Sequence, residues 1–93
     1  MLVLPEELTH ARAPACCRML AQALRKDAAR EAVADASALR HFDSSALAVL
    51  LECRREALAL GKTFTVYQLP ARLRGLAALY GVADLLPATA PAQ

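Results

Sequence analysis

An aspartate followed by two serines, Asp43-Ser44-Ser45, is where residue types and spacing in this chain most invite chemistry. An aspartate opening a helix accepts a backbone N–H from the first turn. The hydroxyls of Ser44 and Ser45 then fall among unpaired N–H groups, as in an anion site. A phosphate there would also gain from the helix dipole, which suits a modifiable serine. The plainer reading is an ordinary helix cap with two polar neighbours. A hydrolase triad would need Ser44 or Ser45 with His10 or His41 and Asp35 or Asp43. No G-x-S-x-G elbow and no glycine-rich oxyanion loop accompany these residues. There is no P-loop for nucleotide hydrolysis, and Asp and His lack metal-ligand spacing. The expectation is therefore no enzyme, no metal and no cofactor, with His10 and His41 on the surface or in loops. Cys16, Cys17 and Cys53 are an odd number with two adjacent, which is no disulfide framework. They read as small buried thiols in a reducing compartment.

The chain that must position these groups has 93 residues, enough for a single domain over 1–93. Hydrophobic residues make up 57% and charged residues only 22%. So apolar a chain either packs a tight core or leaves an apolar face for a partner, and the second is expected. A net charge of +2 with dispersed cations does not suggest nucleic acid, and two Phe, two Tyr and no Trp offer no stacking platform. No stretch reaches the roughly 20 apolar residues that span a bilayer, so no direct membrane insertion is expected. The first residues lack a basic start and soon meet Pro5 and Glu6, unlike a signal peptide. A cytoplasmic location is expected.

Leu2-Val3-Leu4 is a short strand candidate ended by Pro5, and Glu6 to Ala13 reads as a loop. Pro14 suits a first helical position. Cys16, Cys17, Leu20, Ala23 and Leu24 follow at helical spacing, with Arg25 and Lys26 favouring the dipole at the far end. Asp27 to Glu31 is a polar connection. Ala32-Val33-Ala34 suits a short buried strand, and Asp35 to Phe42 is a connection. Asp43 opens the longest helix, to about Leu60, with Gly61 at its C-cap. Thr63 to Tyr67 alternates and is the clearest strand. A third helix runs from Pro70 to Gly81, with Gly75 as a place for close approach. Val82 to Leu86 is a short apolar tail, and residues 86–93 are expected to fray. The alternation predicts an α/β fold, a small mixed sheet with parallel pairs and crossover helices packed on it.

At 100° per residue, the apolar side chains of the Asp43 helix cover an arc of roughly 200°, about twice what one sheet requires. The surplus must face another helix or a partner. Arg54 lies inside the arc, where its stem can pack while its head reaches water. Ser45, Glu52 and Glu56 form the polar stripe.

The run from Val33-Ala34-Asp35-Ala36-Ser37 through Leu39-Arg40-His41-Phe42-Asp43-Ser44-Ser45-Ala46-Leu47 to Leu51 resembles the heart of STAS domains. There a strand ending in D-x-S leads into D-[ST]-[SG]-G-L and an apolar helix. Gly61-Lys62 with Thr63 to Tyr67 is similar to the next family strand. Leu79 to Pro87 resembles the end of the MlaB type within that family. Ala46 stands where the family usually has Gly, which would add a methyl at the recognition surface. The family's first strand is expected to be missing, leaving a sheet edge that a second copy of the chain would cover. The resemblance implies a binding module. In MlaB-like subunits the first hydroxyl, here Ser44, contacts the ATPase subunit of a phospholipid-transport ABC complex that maintains outer-membrane lipid asymmetry. Arg40, His41, Phe42, Asp43, Ser45 and Ala46 would complete the contact, placing the protein at the inner membrane through its complex. In the anti-sigma-factor antagonist branch, a kinase phosphorylates the second hydroxyl, here Ser45.

Overall fold

A computed structural model describes residues 2–89. In chain order the elements are β1 (Leu2–Val3), β2 (Glu7–Leu8), α1 (Ala13–Lys26), β3 (Glu31–Asp35), β4 (His41–Phe42), α2 (Ser45–Ala59), β5 (Thr63–Tyr67) and α3 (Ala71–Leu79). A 3-10 turn at Ala83–Leu85 follows.

The main sheet has the order β1-β3-β5. Register places Leu2 beside Ala34 and Val66, and Ala32 beside Phe64. Side chains alternate across a strand, so these five share one face, and all five are buried. Their neighbours on the strands, Val3, Val33, Thr65 and Tyr67, are exposed or half-buried. The three helices therefore cover one face, and Val3 stays 60% exposed on the other. Every ladder among the described residues is parallel, where a mixed sheet was expected. The cause is that α1 and α2 each carry the chain back before the next strand begins, which brings that strand in parallel.

The helices form where the sequence places them, with adjusted ends. In α1 the core contacts are Cys16, Leu20 and Leu24, one turn apart, and Pro14 sits in the first turn. Helix α2 buries Ala46, Leu47, Val49, Leu50, Cys53 and Ala57. Its wide apolar arc is absorbed within the chain: α1 packs on one side, β5 beneath it and α3 on the other. The expected partner-facing surplus reduces on this helix to Leu58 and Leu60, 49% and 44% exposed. Arg54 is half-buried.

Helices α2 and α3 end alike. Gly61 and Gly81 take φ of +75° and +74°, a region that carries a steric cost for residues with a Cβ. At each, the next N–H reaches back to a helix carbonyl: Lys62 to Ala57 and Val82 to Ala77, both at 2.9 Å. Gly75 differs. A Cβ built there would meet nothing within 4 Å, so no close approach inside the chain requires it.

Two features depart from the sequence reading. Glu6 to Ala13 was expected as a loop and Asp35 to Phe42 as a connection, yet β2 and β4 pair there, Glu7 with His41 and Leu8 with Phe42. The Glu6 carbonyl accepts from the N–H groups of Arg40 and His41 at 2.8 and 3.0 Å. Two-residue strands carry no periodicity, so only tertiary pairing reveals them. The other departure is the tail. Leu86 is buried, and residues 87–89 dock on β5, with Val66 N–H donating to Pro87 and Thr89 N–H donating to Val66. Thr89 and Thr65 also join hydroxyls at 2.9 Å. The expected fraying does not hold for residues 86–89, while residues 90–93 lie outside the described residues.

Candidate functional site

The segment from β3 to α2 is fixed from both flanks before it reaches the serines. Ala36 and Leu39 are buried, and the Ala36 N–H donates to the Tyr67 carbonyl at 2.9 Å. The Asp35 carboxylate accepts the Ser37 N–H at 2.9 Å, an Asx turn that leads the chain off β3. The Arg40 guanidinium then donates to the Ser37 carbonyl at 3.0 Å, bracing the loop from outside. β4 follows, held by β2. Phe42 is half-buried, and the Arg72 guanidinium of α3 lies 5.2 Å from its ring centroid, within cation–π range.

Asp43 then acts as a two-way tether. One carboxylate oxygen accepts the Ser45 N–H at 2.8 Å, and the other accepts the His10 N–H at 3.1 Å. The helix proper begins at Ser45 and not at Asp43, but Asp43 supplies the cap expected of it. These bonds favour the charged carboxylate and hold its pKa below the usual value, the Ser45 N–H first and the His10 N–H second.

The two serines are not equivalent. Ser44 is exposed, and its side chain caps nothing. Ser45 is half-buried, and its backbone N–H is the group from which the Asp43 carboxylate accepts. Ser44 is thus the more open of the two to another molecule. Ala46 turns inward and is fully buried. Its methyl does not lie on the surface to which the motif assigned it, because one helical step of about 100° carries it from the solvent side to the core side.

The structure thus brings Arg40, His41, Phe42, Asp43, Ser44 and Ser45 to one continuous ledge at the head of α2. It adds Arg72, which carried no sequence signal, and brings in His10 through its backbone N–H and not as the triad base weighed in the sequence; both reach the ledge only through folding. The His41 side chain lies beside a shallow groove shared with Pro5, Glu6, Arg12 and Met19. Neither histidine ring hydrogen-bonds Ser44 or Ser45 among the described residues, so no proton relay links them. No group of three or more His, Cys, Asp or Glu among the described residues is arranged to hold a metal ion. No helix among them is long and apolar enough to cross a membrane.

The ledge combines a hydrogen-bonded backbone, an exposed hydroxyl, an arginine-capped aromatic ring and a helix start. No curated protein matches the chain. The family described as Mlab, STAS domain, matches residues 1–87, which takes in every described element. With that match and this α/β architecture, the chain belongs to the STAS domain family, an accessory or regulatory class, and is most like MlaB.

Proposed function

We propose that the protein is a non-enzymatic accessory subunit that binds the ATPase subunit of a phospholipid-transport ABC complex through the head of α2. The observation that carries this reading is the exposed, uncommitted Ser44 on a ledge pinned by β2, α3 and Asp43. Such a surface loses little freedom on binding, which favours affinity. The contact consists of Ser44 with Arg40, His41, Phe42 and Asp43, and Ala46 supports it from beneath. Mechanistically, binding one conformation of the ATPase better than another shifts its population toward that conformation. The protein then works in the cytoplasm, held at the inner membrane by its complex.

The alternative, an anti-sigma-factor antagonist switched at Ser45, is weaker here. A phosphate of about −1.5 to −2 charge on half-buried Ser45 would face the Asp43 carboxylate that accepts the Ser45 N–H. Ser44→Arg separates the readings. It should cut affinity for the cognate ATPase at least about 100-fold in a pull-down or titration, as disruption at the centre of an interface does. Its melting curve should match that of the wild type. Undiminished binding by the folded variant would rule out this interface. Phosphate found on Ser45 when a cognate kinase is co-expressed would favour the signalling reading.

A further inference from the structure

The seam between α1 and α2 contains chemistry that docking at the head of α2 does not use. All three thiols are free, Cys16 and Cys53 buried and Cys17 half-buried. Cys17 and Cys53 line the same small groove, of about 210 Å³, together with Ala21 on α1 and Val49 and Glu52 on α2. Ala21 adds only a methyl to this seam. Cys16 is not part of that groove, and lines the one beside His41 instead.

We infer that Cys17 and Cys53 form a reversible disulfide that staples α1 to α2, with Cys17 as the entry thiol. Cys17 is the more accessible of the two, and its thiolate attacks one sulfur of a small-molecule disulfide, displacing one thiolate. The Cys53 thiol gives its proton to water and attacks the Cys17 sulfur, displacing the second thiolate. Two protein thiols are oxidised as one external disulfide is reduced to two thiols. Burial first, with the neighbouring Cys17 and Cys16, pushes the Cys53 thiol of the reduced protein up to about 12; the burial persists once Cys17 carries the mixed disulfide, so ring closure is the slow step. The bridge would close the chain from α1 across β3 and β4 into α2. That restricts the unfolded state and raises the melting temperature.

The test is incubation of the folded protein with oxidised glutathione, removal of the reagent, and mass spectrometry with thiol counting. The expected result is loss of two hydrogens, a fall from three titratable thiols to one, and a higher melting midpoint that reducing agent reverses. Cys16→Ser should still form the bridge, and Cys17→Ser and Cys53→Ala should not. A stable glutathione adduct on Cys17 without closure would overturn the inference. So would a bridge that needs Cys16, or one that joins two chains.

Discussion

The head of α2 and its inner flank are built from the same fifteen-residue helix and obey different rules. The flank is apolar and enclosed: Leu47, Val49, Leu50, Cys53 and Ala57 are all buried against α1, β5 or α3. The head is polar and open: Ser44 is exposed, and long-range bonds from His10 and Glu6 steady it in place of packing. Burial holds the helix in position, and directional hydrogen bonds aim its first turn. A docking surface needs both, because it must stay wet while keeping its shape.

The largest expected effect lies on the flank. Leu50 is fully buried, and Leu50→Ala should cost about 2–5 kcal/mol in denaturant unfolding. A much smaller loss would mean that the flank is loosely packed. At the head the pattern should reverse. Ser44→Arg should leave stability within about 0.5 kcal/mol, as surface substitutions do, while removing partner binding. Asp43→Ala should sit between the two, lowering the melting midpoint by less than Leu50→Ala and weakening binding by freeing the first turn.

Acid should separate head from flank as well. The Asp43 carboxyl has a lowered pKa, so its contribution is present above the ordinary aspartate value. It is lost as pH falls from about 4 through the folded value, when the carboxylate gains a proton. Amide protection at Ser45 and His10, measured against the intrinsic exchange rate at each pH, should therefore fall in that range before protection at Leu50 does. A simultaneous fall in protection at all three would show that the carboxylate is not what orders the head. The smallest effect concerns neither region. Gly75→Ala on α3 should stabilise by about 0.5–1 kcal/mol, since a methyl meets nothing there and the helix gains propensity.

Much of this was legible in the residues. The alternation Thr63 to Tyr67 is β5 as expected, and the strand around Ala32–Ala34 extends by one residue at each end. The helix expected from Asp43 to Leu60 runs from Ser45 to Ala59, because Asp43 sits just outside the helix it caps. Ala46 shows two sequence arguments in conflict. Motif matching placed its methyl at the surface, and helical periodicity placed it in the apolar arc. The structure sides with periodicity. The β2–β4 ladder and the docked residues 87–89 were illegible, because two- and three-residue pairings leave no pattern in the chain.

Residue order alone sets the alternation of strands and helices, the inward face of α2 and the run of polar residues at its head. These follow from local propensity and periodicity, which neighbouring residues carry. Which serine is the more exposed, and what steadies the turn that carries it, came from packing. His10 reaches Asp43 across 33 positions, and Arg72 crosses from α3 to cover Phe42. Contacts at such separations depend on how the layers pack, and no local pattern encodes them.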